Sequence, residues 1–261
     1  MLYEDINTIE KLKIWLDEYC DDINEKDHED WTILHRICQY NPLLELISYL
    51  VKHGALINKK NNDNITSLHC LCANYPSVKT ISFLLENGAL INEKNCDGYT
   101  ALHYICGMNS SIEYISVLLE NGALINEKTN DGMTPLHLLC KYIPQAIMGP
   151  QGSIKCIKLL LENGANINDK TNDGMTPLHL LCYYCPFIDF IKYLIKNGAN
   201  INKKDNDGDT PYDLIRIDKY KEEYKNLIKE MRLEIFEIIY NKTGLIDNLC
   251  WIVVDYILYI R

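Results

Sequence analysis

A string of the form Thr-x-Leu-His-x-x-Cys begins at Thr32, Thr66, Thr100, Thr134 and Thr176, and a degenerate copy, TPYDLIR, begins at Thr210. Successive copies lie 34, 34, 34, 42 and 34 residues apart. A second string keeps the same phase: HGALIN, ENGALIN, ENGALIN, ENGANIN and KNGANIN, with glycines at Gly54, Gly88, Gly122, Gly164 and Gly198. Stepping back one period from Gly54 lands on Cys20 and places Ile23-Asn24 under Ile57-Asn58, so the chain opens on a partial copy. Self-similarity at this period confines the fold. One copy is too short to bury a core alone, so neighbours must stack to form it.

Each copy reads as helix, helix and projecting turn. Threonine is a helix N-cap, because its hydroxyl can accept from an orphan N–H of the first turn. Pro135, Pro177 and Pro211 follow at the first helical position, where a missing N–H costs nothing. The spacing predicts a second helix in SIEYISVLLENG, with Ile112, Ile115, Leu118 and Leu119 on one face and Gly122 as the residue after its end. Asn130-Asp131-Gly132 carries turn chemistry. At the Gly132 position the other copies have Asp30, Asn64, Gly98, Gly174 and Gly208, all residue types that tolerate positive φ.

TPLHLLC, LLENGANIN and NDGMT together resemble the ankyrin repeat, whose pattern runs close to DGxTPLHxA…LLxxGAxxN. The resemblance implies an all-α ankyrin-repeat solenoid with hairpin loops, made of five full repeats with partial or capping units at both ends. The corresponding boundaries are an N-terminal partial repeat at 1–26, then repeats at 27–60, 61–94, 95–128, 129–170 and 171–204. A degenerate capping repeat at 205–240 and an apolar helix at 241–261 complete the chain. The chain departs from the pattern in three ways, one being that the Gly-His between the helices is missing, with Asn41-Pro42, Tyr75-Pro76 and Cys185-Pro186 near that point. Ile37, Leu71, Ile105, Leu139 and Leu181 replace the usual alanine, with Cys38, Cys72, Cys106, Cys140 and Cys182 at the next, normally small, position. The fourth copy gains eight residues around IPQAIMGPQG, read as an exposed loop between its helices.

The pairs His35/Cys38, His69/Cys72, His103/Cys106, His137/Cys140 and His179/Cys182 look like metal ligands. Zinc needs four ligands at roughly 2.0–2.3 Å around one point. Stacked repeats stand about 10 Å apart, which makes the pairs a ladder and not a cluster. The resemblance implies instead that the histidine bridges backbone groups of the turn and the adjoining unit, while the cysteine fills a core slot. Cys182-x-x-Cys185 has no second such pair. Phosphate-binding, GxSxG and HExxH motifs do not occur, so neither catalysis nor a cofactor is expected.

The net charge of −10 argues against nucleic acid and against anionic lipid as partners. The start, MLYEDINTIEKLKIW, lacks the apolar stretch of a secretory signal. The run Leu245–Ile260 is too short and too polar to span a bilayer. Eleven cysteines without a signal read as reduced thiols, hence an intracellular, cytoplasmic chain. Abundant Ile, Asn, Lys and Tyr against four arginines is the bias of an AT-rich genome.

The position before each capping threonine reads Trp31, Ile65, Tyr99, Met133, Met175 and then Asp209. In an ankyrin array these residues line the inner face of the projecting turns, where large apolar side chains mark a binding surface. Tyr40, Met108, Tyr142, Tyr183 and Tyr184 stand near the ends of the first helices and add to it. The expectation is recognition of a partner protein by this concave face. In the alternative, the same side chains fold back onto neighbouring hairpins.

The tail, LIDNLCWIVVDYI, has an apolar helical stripe and is similar to the start of an F-box, with Leu245, Leu249, Val253, Val254, Tyr256 and Ile257 in register and Ile246 where that motif has proline. Ankyrin proteins of large DNA viruses often end in such an element, which recruits a Skp1-like ubiquitin-ligase adaptor. The AT-rich bias and the tail together imply a large DNA virus acting inside host cytoplasm, with a protist or intracellular bacterium as the alternative. The other reading is a helix that caps the last repeat.

Overall fold

The computed structural model describes residues 5–19, 22–143, 149–243 and 254–255. Among them are twelve α-helices and no strand. In order these are α1 (Ile9–Tyr19), α2 (Ile33–Tyr40), α3 (Leu44–Lys52), α4 (Ser67–Ala73), α5 (Val78–Glu86), α6 (Ala101–Met108), α7 (Ile112–Glu120), α8 (Pro135–Tyr142), α9 (Gly149–Glu162), α10 (Pro177–Tyr184), α11 (Ile188–Lys196) and α12 (Asp218–Thr243).

The repeat string sets where the first helices start. Thr32, Thr66, Thr100, Thr134 and Thr176 are all N-caps with extended backbone, and Pro135 and Pro177 open α8 and α10. The helices of the second string stop where glycine allows it. Gly54, Gly88, Gly122, Gly164 and Gly198 have φ between 88° and 100°. The hairpin position also has positive φ in every copy, including the non-glycines Asp30 at 68° and Asn64 at 58°.

The chain divides into two compact units, Met1–Asn130 with Ala146–Gly164, and Asp131–Gln145 with Ala165–Arg261. In the first, α2, α4 and α6 pack in series, while α1, α3, α5, α7 and α9 form a second layer. In the second, α8 packs on α10, α10 on α11, and α11 on α12. The bulky Ile37, Leu71, Ile105, Leu139 and Leu181 are fully enclosed or nearly so, each beside a buried cysteine. A small thiol next to a large aliphatic keeps each layer filled without strain.

Asparagines tie successive copies together. Asn24, Asn58 and Asn92 donate from Nδ2 to the carbonyls of Gly54, Gly88 and Gly122 at 2.9, 2.8 and 3.0 Å. Their Oδ1 atoms accept from the N–H groups of Leu56, Leu90 and Leu124 at 2.7, 2.9 and 2.8 Å. Asn168 does the same in the second unit, with Gly198 and Asn200. Asn24 makes the full set, so the opening segment is bonded to its neighbour as a repeat would be.

Two expectations change. The insertion is not all loop: α9 starts at Gly149 and takes in Pro150 and Gly152, proline being tolerated in a first turn. The remaining inserted residues, 144–148, lie outside the described part. The last copy has no full first helix, since residues 211–214 form turns, and its second helix extends to 26 residues and runs through the boundary drawn at 240. α12 thus departs from the nine-residue length of α3, α5, α7 and α11.

Candidate functional site

The histidines are committed to the scaffold. In each pair the backbone N–H of the capping threonine donates to histidine Nδ1, at 3.3 Å for His35 and 3.1 Å for His69, His103, His137 and His179. A backbone N–H can only donate, so Nδ1 is unprotonated and Nε2 carries the hydrogen. That Nε2–H donates to a carbonyl of the next projecting turn: Ile65 for His35 and Glu93 for His69 at 3.0 Å, Glu127 for His103 at 3.1 Å. In the second unit His137 reaches the Asp169 and Met175 carbonyls at 3.1 and 3.2 Å, and His179 the Asp209 carbonyl at 3.2 Å. Each histidine thus fills the N3 place of a capping box and bridges to the next turn.

Burial pushes the imidazolium form out. His69 is held down at about 4 from 6.5, chiefly by desolvation, and His35 and His179 shift in the same direction for the same first cause. The paired thiols move the other way: desolvation raises Cys38, Cys72, Cys140 and Cys182, leaving them protonated at neutral pH. Such groups supply no base and no thiolate. Among the described residues no set of three or more His, Cys, Asp or Glu side chains is placed to hold a metal ion. No helix among them is long and apolar enough to cross a membrane.

The residues before the caps are placed differently. Trp31, Ile65 and Tyr99 in the first unit, and Met133 and Met175 in the second, are all half-buried. Their main chain is fixed. The N–H groups of Trp31, Ile65 and Tyr99 donate to Asp27, Asn61 and Asn95 at 3.0, 2.8 and 2.8 Å, and that of Met175 to Thr171 Oγ1 at 3.2 Å. Part of each aromatic face is used internally. Trp31 meets His35 edge-on at 5.6 Å and lies under the Arg36 guanidinium at 5.2 Å, which in turn pairs with Asp27 and Glu29. Tyr99 contacts His103 at 5.8 Å and Tyr104 at 5.6 Å. The fold-back alternative therefore describes part of these two side chains, each of which is only partly buried.

At the ends of the first helices, Tyr40 and Met108 are exposed by 38 % and 62 %. Tyr142 and Tyr183 are half-buried, and Tyr184 is 47 % exposed. The last three share a cluster with Lys141 and Arg216, two cations absent from the sequence-based set. Sequence reasoning also passed over Leu56, Leu90 and Leu124, which are 57 %, 53 % and 52 % exposed. The second string carries this leucine in three copies, as GALIN, and asparagine in two, as GANIN.

Of the F-box-like residues, Leu245, Leu249, Val253, Tyr256 and Ile257 lie outside the described part. Val254 is fully buried, and its neighbour Asp255 pairs with Arg232 of α12.

Family models with the description "Ankyrin repeats (3 copies)" match residues 3–95 and 71–170, and one described as "Ankyrin repeats (many copies)" matches residues 160–215. None of the curated proteins matches the chain.

Proposed function

Because the chain belongs to the ankyrin-repeat family, whose repeats generally mediate protein–protein interaction, we propose that it is a non-catalytic recognition module. It holds a partner protein through the side chains that precede the capping threonines: Trp31, Ile65 and Tyr99 in one unit, Met133 and Met175 in the other. The observation that carries this is the combination, at Trp31, Ile65, Tyr99 and Met175, of a hydrogen-bonded main chain with a large, partly exposed apolar side chain, Met133 being partly exposed as well. Aromatic and methionine side chains presented rigidly give up little entropy on binding. Tyr40, Tyr142, Tyr183 and Tyr184 extend the surface.

The test is affinity capture with the full chain and with a Tyr99→Ala/Met133→Ala variant whose melting temperature is matched or corrected for. Loss of the captured partner from the variant supports the assignment. An unchanged partner set places the interface elsewhere.

The finer reading makes the chain a viral substrate adaptor in host cytoplasm, with the tail engaging a Skp1-like protein. Its support is the tail motif and the composition bias. Val254 counts against it, since a residue sealed in the chain's own core cannot also face an adaptor. A full-length Leu249→Glu variant decides: co-purification of a Skp1-like protein that the substitution abolishes establishes the adaptor, and no such protein with either form leaves the tail as a cap.

A further inference from the structure

In the second unit five side chains form a continuous array. Lys141 Nζ lies over the rings of Tyr142 and Tyr184, at 5.2 and 5.6 Å from their centroids. Tyr184 meets Tyr183 edge-on at 4.7 Å. The Arg216 guanidinium covers Tyr183 at 4.2 Å and donates to its phenolic oxygen. Lys141 and Tyr142 end α8, Tyr183 and Tyr184 end α10, and Arg216 follows the turns that replace a first helix in the last copy. Three successive copies thus contribute to one surface.

The charge state of this array differs from that of the Arg36 site. Arg36 in the first unit also lies over an aromatic ring, but it is buried and neutralised by Asp27 at 2.7 Å and Glu29 at 2.6 Å. Among the described residues neither Lys141 nor Arg216 has a carboxylate within ion-pairing distance. Arg216 is exposed and Lys141 half-exposed. An aromatic face holds a cation in place without cancelling its charge. One guanidinium N–H is spent on Tyr183, and the others remain available for bidentate contact with a carboxylate.

We propose that this array is the docking point for an acidic segment of the partner protein, with aspartate or glutamate side chains on Lys141 and Arg216 and the peptide backbone lying across Tyr184. The inference rests on the proposed recognition function and specifies the chemistry of one partner segment. The two cations lie within roughly 15 Å along the chain of ring contacts, which an extended peptide covers in about five residues. The acidic residues therefore fall four or five positions apart, or closer. Holding the cations against rings beforehand removes much of the ordering cost of binding. A net charge of −10 on the whole chain disfavours an acidic ligand in general, so local cations such as these are where one can dock.

The test pans a phage-displayed random dodecapeptide library on the full-length chain and on a Lys141→Glu/Arg216→Glu variant. A Lys141→Gln/Arg216→Gln variant is run alongside in case the reversal unfolds the chain, with circular dichroism as the check. The expected result is a bound pool enriched several-fold in Asp and Glu over the input. That enrichment is lost on either variant and weakened by salt. A selected pool no more acidic than the input, or equally acidic on the variants, overturns the inference while leaving peptide recognition standing. A library yielding no selected peptide removes both. Binding of single-stranded oligothymidylate that the charge reversal abolishes, with no acidic peptide selected, also overturns it in favour of a nucleic acid.

Discussion

Lowering the pH from about 8 to about 5 will destabilise this chain through its buried histidines. His69 is 2 % exposed, accepts from Thr66 N–H at Nδ1 and donates from Nε2 to the Glu93 carbonyl. Protonating Nδ1 would set a donor against a donor. Its folded-state pKa is therefore held at about 4 against 6.5 for the free side chain. A depressed folded pKa means that the unfolded chain takes up the proton first, so stability is whole above about 6.5 and is lost as pH falls from there toward about 4. At pH 5 the linkage for His69 alone amounts to about 2 kcal/mol. His35 and His179 shift in the same direction and add to it. Two other terms do not imitate the effect. Asp27 is held below its ordinary 3.8 and acts only at lower pH. Moving toward the sequence pI of about 5.2 relaxes the charge of −10, which is stabilising. Urea unfolding followed by far-ultraviolet circular dichroism reads the outcome, and 2 kcal/mol moves the midpoint by about 1 M. A midpoint that stays level or rises between about pH 7 and pH 5 would refute the assignment of the histidines as neutral, doubly bonded scaffold.

Three further outcomes follow from local geometry. Ser67 occupies the first position of α4, its hydroxyl has no partner among the described residues, and Thr66 before it is extended, so Ser67→Pro should stabilise by about 0.5–1 kcal/mol in thermal melts. A Cβ on Gly98 would stand 2.8 Å from the Asn130 backbone nitrogen at a φ of +82°, whereas one on Gly88 meets nothing within 4 Å. Gly98→Ala should cost roughly 2–4 kcal/mol and Gly88→Ala about 1–2, and equal losses would contradict the tight hairpin stacking. Converting the exposed Leu56, Leu90 and Leu124 to asparagine, as at Asn166 and Asn200, should change stability by no more than about 0.5 kcal/mol each, measured by urea midpoint.

The scaffold was legible because it is local and repeated. Threonine, proline, histidine and glycine each act within a few residues of their own position, and repetition removes the ambiguity of any single copy. The positive φ at Asp30 and Asn64 followed from alignment with Gly98 and Gly132 alone. What was not legible depends on context. Helix α9 draws Gly149 and Pro150 into its first turn, although both residue types punctuate loops. The length of α12 has no counterpart in the earlier copies. The Lys141–Arg216 array joins residues 75 positions apart, and no pattern of period 34 relates a lysine in one copy to an arginine two copies later. Trp31 and Tyr99 share one stripe position, but the internal contacts of their rings needed the positions of Arg36 and Tyr104.

The central claim is that the hairpin-side residues, and not the conspicuous His-Cys pairs, carry the function. Site-specific photocrosslinking tests it most directly, with a benzophenone amino acid placed in the full chain at Tyr99, at Met175 and, as a control, at Tyr193 in α11. One and the same protein should be crosslinked from Tyr99 and Met175 and not from Tyr193. Crosslinking from Tyr193 alone would contradict it.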